Sequence, residues 1–355
     1  MEREILGSFF KSFSKYLAVP FVFFLCFTSL MADISTRNVA VVVRPAFLGE
    51  IEFSYRIQKA GKNIGWDTTL IDYQEEMIDP GLYDFMICLV PEALRFSCPS
   101  YLALFDPKNH YFRKSGMLKS KYAFYDGYLI THSVDLDQKA FSFFRYHPWT
   151  EWFPLVQSSE FKEVDPKYLF FVCCTWGNRA NDERYKTCLK LLDKTSYTHF
   201  YGRDSFRNIY PESYVGSIPM DGESILSKMQ KDGVCLVLHS SDHLANAIPS
   251  GRIFEAVASS CVVISDENPF VIENFGDAIL YIDHTTSGKE LFHQIEAHMC
   301  WIRSHKKEAR EIAKKAYEIY KEKFLLEDQL MKLAEFHDGV ISGHFKKGNE
   351  PKEFE

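Results

Sequence analysis

The chain has 355 residues and a formal net charge of -7, with 46% hydrophobic and 25% charged residues. That length accommodates two domains with separate cores, and the composition is that of a globular protein. The acidic balance argues against nucleic acid as a partner, since such binders carry a basic surface. The nine cysteines form no Cys-x-x-Cys pair and no Cys/His spacing suited to zinc. Cys88, Cys173, Cys174, Cys235 and Cys261 lie inside apolar runs and read as buried thiols. Neither a structural metal nor a disulfide-built fold is expected.

Residues 16–32 (YLAVPFVFFLCFTSLMA) are nearly all apolar and follow Lys11 and Lys15. The run is at the short end for a membrane span. Three readings fit it: a signal peptide cut after Ala32, a signal anchor, or a hydrophobic anchor lying on the membrane. On each of them residues 1–37 form a membrane-seeking N-terminal segment.

From residue 38 the pattern becomes α/β. The run 39–43 (VAVVV) is apolar and β-branched, which predicts a buried strand. A loop over 44–49 and a helix over 50–63 follow, stopped by Gly65. Further strands are expected at 68–71, 83–90, 101–105 and 127–131. Strands alternating with helices predict a parallel sheet, here a first domain over 38–150. Residues 144–166 hold Pro148, Pro154 and Pro166 with Trp149 and Trp152, and little periodicity. They read as interdomain connection and cleft wall, with the linker set at 151–167.

The pattern restarts at 168–174 (YLFFVCC). A helix over 179–192, a strand at 198–201, a helix over 225–231 and a strand at 234–239 are expected next. A strand at 278–282 and helices over 288–304 and 306–336 complete a second domain at 168–338. The tail 339–355 is polar.

One stretch carries the chemistry. Ser250-Gly251-Arg252-Ile253-Phe254-Glu255-Ala256 opens a short helix, and an apolar strand ending in Asp266 follows. Arg252 and Glu255 are three apart and share a helical face among apolar or small neighbours. A carboxylate there needs a partner, and a ligand diol can donate two hydrogen bonds to it.

Together with FVCCTWGNR at 171–179, HFYGR at 199–203 and the Tyr214-Val215-Gly216 segment, this stretch resembles the second domain of GT-B glycosyltransferases. The resemblance is to the family 1 and family 4-like enzymes, especially the bacterial spore-maturation-type group, and it covers 168–336. It implies two Rossmann-like domains facing across a cleft. It also implies a hexosyltransferase-type enzyme, with a nucleotide-sugar donor, a glycan or lipid-linked acceptor, and no metal or other cofactor. By resemblance, Glu255 would accept the ribose hydroxyls. Arg252 and the N–H groups of Ser250 and Gly251 would face the diphosphate, with Gly177 and Arg179 across from it. A helix start suits that role, having unsatisfied donors and a partial positive charge. Glu50, beside Gly49 in the first loop, is placed where a general base could reach the acceptor.

Two departures from the family stand out. Family 4 members often carry a Glu eight residues before the ribose-binding one, where this chain has Ala247. Many relatives have Gly after the helix, where Ser260 and Cys261 stand here. The first leaves the anomeric outcome open.

Plainer readings stand beside these. Glu255 and Arg252 can simply pair with each other, and Glu50 can be a helix-start acid favoured by the macrodipole. His239 and His243 read as structural, and Trp149 and Trp152 as packing rather than sugar-stacking. A non-catalytic nucleotide-sugar or glycan binder that keeps the fold is the alternative function. A nicotinamide-dependent enzyme is disfavoured, because no Gly-x-Gly-x-x-Gly follows 39–43. The apolar N-terminus and the cytoplasmic or Golgi location of nucleotide sugars together suggest a membrane-associated enzyme, on a side left open.

Overall fold

The computed structural model describes residues 36–44, 48–72, 79–91, 97–113, 118–131, 143–173 and 182–345. The apolar segment at 16–32, Gly177 and Arg179 lie outside them, as does Cys174. None of the described helices is long and apolar enough to cross a membrane.

Two six-stranded sheets form, and every strand pairing within them is parallel. In the first, β1 (Asn38–Val43), β2 (Asp67–Asp72), β3 (Phe85–Cys88), β4 (Ser100–Leu104), β5 (Gly127–Ile130) and β6 (Trp149–Glu151) run in the order β2-β1-β3-β4-β5-β6. Five of the six residues of β1 are buried. This is why its apolar residues form a run instead of alternating: helices cover both faces of a parallel sheet. Helix α1 (Leu48–Asn63) makes the first crossover, and the short α2 (Lys108–Tyr111) lies between β4 and β5.

The second sheet has β7 (Tyr168–Val172), β8 (Thr198–Tyr201), β9 (Tyr214–Gly216), β10 (Gly233–Val237), β11 (Val262–Asp266) and β12 (Leu280–Ile282), in the order β12-β11-β10-β7-β8-β9. Its crossovers use α3 (Glu183–Leu192), α4 (Ser224–Asp232), α5 (Ser241–Ala245), α6 (Gly251–Ala258) and α7 (Pro269–Phe275). Then come α8 (Gly288–Ser304), α9 (Lys306–Lys323) and α10 (Leu326–Ile341). Each sheet reverses strand order beside its first strand, and ligands of open α/β sheets bind outside the carboxyl ends at such points. The architecture is therefore the expected pair of Rossmann-like domains.

Three local expectations give way to tertiary contacts. Residues 149–151, read as part of an irregular connection, add β6 to the edge of the first sheet. The single helix expected over 306–336 is broken at Phe324 and Leu325. Phe324 turns into an aromatic cluster with Phe153, Phe254, Phe270 and Phe275. The Leu326 N–H leaves the helical ladder and donates to the Val156 carbonyl at 3.2 Å. Burying that ring and pairing the linker outweigh the intrinsic helix preference of the segment. Finally, α10 returns to the first domain: Tyr101 Oη lies 2.8 Å from His337 Nδ1, and Asn63 donates to Glu327 at 2.7 Å. One continuous apolar cluster consequently runs from β1 through Trp152 and Phe153 to α6 and α10.

Candidate functional site

The carboxyl end of β10 is organised by a buried histidine. His239 Nδ1 lies 2.5 Å from Asp266 Oδ1, and both side chains are fully buried. The backbone N–H of His239 donates to Asp266 Oδ2 at 2.7 Å. On the other ring edge, Nε2 accepts from the Ser250 N–H at 2.9 Å. An acceptor at Nε2 assigns the proton to Nδ1, so this is a neutral imidazole held by a carboxylate. The acid noted at the end of the 262–266 strand is therefore the anchor of His239, which in turn fixes the start of α6. The structural reading of His239 is the one this geometry fits. His243 is likewise engaged, with Nδ1 2.7 Å from Ser240 Oγ.

Ser250 caps α6, its hydroxyl accepting from the Arg252 N–H at 3.4 Å. Of the N–H groups expected to face a diphosphate, that of Ser250 is committed to His239. That of Gly251 has no partner among the described residues. Gly251 packs against the linker, where a Cβ would meet Pro154 Cγ at 3.3 Å. Preceding α6, Ala247 has φ of 53°. This left-handed conformation is costly for a residue with a Cβ. Ser260, in the position where relatives have Gly, has φ of 61° and its hydroxyl accepts from the Lys162 N–H at 3.1 Å. The Gly-to-Ser departure thus ties the helix end to the linker.

Glu255 does find a cationic partner, and in fact two. Arg252 pairs with one carboxylate oxygen, and Arg56 of α1 donates to the other at 2.7 Å. Arg56 also donates to Glu52 at 2.6 Å, and Glu52 accepts from the Gly222 N–H at 3.1 Å. The side chains of Arg56, Glu52 and Glu255 are 2%, 4% and 4% exposed, whereas that of Arg252 is 31% exposed. Burial by itself would raise the Glu255 carboxyl, but the Arg252 and Arg56 guanidiniums outweigh it and hold the group below the usual carboxylate range. In this arrangement both carboxylate oxygens are occupied by guanidiniums, and Arg252 is the member of the network within reach of solvent.

Arg56 and Glu52 were not apparent as site residues. The only sequence signal is a Glu/Arg pair spaced i, i+4 on α1, which is indistinguishable from a solvated helix pair.

Glu50 sits in the first turn of α1, after β1. Burial raises its carboxyl above the usual range, and the neighbouring Asp106 carboxylate, after β4, adds to the shift. Asp106 is raised in the same way by burial. Two acids of raised proton affinity thus lie near each other at the carboxyl edge of the first sheet. Trp152 is fully buried, 6.2 Å from Phe53, so it presents no face for a sugar. Trp149 is half-buried and packs on Phe144 at 6.4 Å.

A cavity of about 420 Å³ opens where the carboxyl ends of the second sheet converge, lined among others by Asp182, Arg184, Tyr185, Ser241, Glu267 and His284. Arg184 is held by Asp182 at 2.7 and 3.1 Å and donates to the His284 carbonyl at 2.8 Å. The Tyr185 hydroxyl donates to the His239 carbonyl at 3.4 Å, so this cavity and the start of α6 share one anchor. No group of three or more His, Cys, Asp or Glu residues among the described residues is placed to hold a metal.

Residues 191–335 match the family profile described as glycosyl transferase-like. No curated protein matches the chain. Among solved structures, it is similar to a glycosyltransferase from Rickettsia africae, with 10% identity, a TM-score of 0.53, and coverage of 86% of this chain and 99% of that one. It is similar to sucrose-phosphate synthase from Thermosynechococcus elongatus, with 9% identity, a TM-score of 0.53, and coverage of 86% and 100%. It is also similar to Anabaena HepE in complex with UDP and glucose, with 10% identity, a TM-score of 0.53, and coverage of 85% and 100%. The chain therefore has the GT-B fold, and residues 191–335 within it match a profile described as glycosyl transferase-like.

Proposed function

We propose that the protein is a glycosyltransferase of the hexosyltransferase type, moving a sugar from a nucleotide-sugar donor to a glycan or lipid-linked acceptor. The observation that carries this reading is the start of α6. There a capped helix N-terminus with one uncommitted N–H and the part-exposed Arg252 lies on the same sheet edge as the 420 Å³ cavity. Such an end attracts phosphate. The Anabaena structure holds UDP and glucose in the same fold, which fits this reading.

In the reaction, an acceptor hydroxyl attacks the anomeric carbon while the bond from that carbon to the phosphate oxygen breaks. Negative charge develops on the departing diphosphate. Arg252 and the Gly251 N–H are the groups that would stabilise it, with Gly177 and Arg179 proposed opposite them. Glu50 would take the acceptor proton, its raised proton affinity suiting a base that works near neutrality. Glu255 would receive the ribose hydroxyls at the oxygen that Arg252 holds, once Arg252 turns to the diphosphate. The residues present need no metal to supply positive charge, and none is proposed. We place the chain nearest the spore-maturation-type group on the strength of the 250–266 stretch. An acceptor at the membrane rests on the apolar segment 16–32 alone, and so does a membrane-associated location.

The test is titration of the full chain with UDP, GDP, ADP and CMP, alongside Arg252→Ala and Glu255→Ala. One nucleotide should bind selectively, with affinity falling about tenfold or more in Arg252→Ala, as for a charged hydrogen bond lost. Folded protein that binds none of the four would overturn the reading.

A further inference from the structure

The two oxygens of the Glu255 carboxylate are held in unlike ways. One accepts from Arg56 at 2.7 Å, and the other is paired with Arg252. Arg56 is 2% exposed and also donates to Glu52 at 2.6 Å. Moving it would strand two buried carboxylates without a cation, which is strongly unfavourable. Neither constraint applies to Arg252. Its side chain is 31% exposed, and its ion pair joins residues three apart on one helix. A part-exposed pair of that kind is worth little and is readily exchanged. Of the two guanidiniums on Glu255, Arg252 is therefore the one that can leave.

Arg252 also has a second place to go. It is the second residue of α6, beside the Gly251 N–H that has no partner among the described residues. Helical side chains lean towards the helix start, so a rotamer change carries the guanidinium from Glu255 to that end. A cation with no counterion is disfavoured there, because the helix start is itself partly positive. An anion bound at the same end offsets that repulsion and gives the guanidinium a partner. Glu255, once uncovered, has an oxygen able to accept from two adjacent hydroxyls.

The two moves are linked. A nucleoside by itself needs the Glu255 oxygen and leaves Arg252 at the helix start without an anion. A free diphosphate draws Arg252 away and leaves the carboxylate oxygen uncovered. Only a ligand carrying both parts replaces every interaction that it displaces, so its halves bind with positive coupling. Given the donor-site reading above, on which this rests, we propose that the Arg252 and Glu255 pair determines specificity. It selects a joined nucleoside diphosphate over either a nucleoside or a free diphosphate.

The experiment titrates the full chain with UDP, GDP and ADP, with the nucleoside of whichever binds, and with inorganic pyrophosphate. Calorimetry and saturation-transfer NMR are the readouts. Arg252→Ala should weaken the nucleotide about tenfold or more. It should nevertheless tighten the nucleoside about threefold, because no ion pair has to be given up. Glu255→Gln should also weaken the nucleotide, yet tighten pyrophosphate by a similar factor. Arg252→Gln, which keeps most of the side-chain stem, should follow Arg252→Ala. Urea unfolding checks that each variant is folded. A merely structural pair would instead weaken whole and half ligands together. The exchange is overturned if the folded arginine variants bind the nucleoside no more tightly than wild type, or if Glu255→Gln does not tighten pyrophosphate. If the nucleotide still binds and responds to Glu255→Gln in that case, the donor-site reading stands without the exchange. Folded wild type that binds none of the three nucleotides also overturns the exchange, and if CMP fails to bind as well, the donor-site reading falls with it.

Discussion

Arg56 of the first domain and Glu255 of the second are joined by a buried hydrogen-bonded ion pair of 2.7 Å across 199 residues of sequence. Glu52, Arg56, Glu255 and Arg252 alternate in charge, so the interface carries no net charge from these four groups. The carboxylate that the resemblance assigns to the donor ribose is therefore also a tie between domains.

This tie makes a quantitative prediction. Arg56→Met should destabilise the protein by roughly 3–5 kcal/mol, because it strands two buried carboxylates without their shared cation. Replacing Glu52 and Glu255 by Gln in the same chain should recover a large part of that loss. Urea unfolding of the single, double and triple variants measures the coupling. Equal stability of Arg56→Met and wild type would show that the network contributes nothing.

Two groups lower stability as pH falls, against the opposing contributions of Glu50 and Asp106, whose carboxyls are raised by burial. Glu255 is held below its ordinary value of 4.5 by Arg252 and Arg56, against the opposing effect of burial. Its contribution is complete above pH 4.5 and is lost as pH falls through its folded value. His337 is lowered from its ordinary 6.5, burial being the main cause. The unfolded chain then binds the proton first, so stability declines as pH falls from 6.5 towards the folded value. The urea midpoint should drop in two stages, one beginning near pH 6.5 and one below pH 4.5. In His337→Phe the first stage should be flattened.

For Glu50, the expected effect is on rate. Glu50→Gln should lower kcat by about 10²-fold or more with donor affinity unchanged, the range for losing a general base. In the wild type, activity should rise with pH with a midpoint above 4.5, because burial and Asp106 raise this carboxyl from that ordinary value. Steady-state kinetics across pH 4 to 9 would show this, and an unaltered profile in Glu50→Gln would exclude the role.

Ala247 offers a stabilising substitution. Its φ of 53° is one that glycine adopts without steric penalty, so Ala247→Gly should raise stability by up to ~1 kcal/mol after the entropic cost of glycine is offset. The contrasting case is Ser260→Gly, which relieves the same strain but loses the hydrogen bond from Lys162, and it should come out near neutral. Chemical denaturation of the two variants side by side is the measurement.

The class of fold and the central strands of both sheets were legible in the amino-acid sequence, whereas the edge strands β6 and β9 were not. Strands buried on both faces need unbroken apolar, β-branched runs, and 39–43, 168–172 and 262–266 are such runs wherever they are placed. The helix at 288–304 was equally legible, with Ser287 as its cap accepting from the Glu290 N–H. The loop-helix-strand unit at 250–266 was legible as a unit, because helix starts and small residues act locally.

What Glu255 touches, the anchoring of the helix start by His239 and Asp266, and the return of α10 to the first domain emerge only when the chain folds. Each of these depends on a partner supplied from elsewhere in the chain: Arg56 for Glu255, Asp266 for His239, Tyr101 for His337. The break at Phe324 has the same origin, since the ring leaves its helix for a cluster assembled from the linker and from helices α6 and α7. Local sequence sets backbone preference over a few residues. Which buried charge meets which, and which oxygen is left unmet, is set by how distant elements pack.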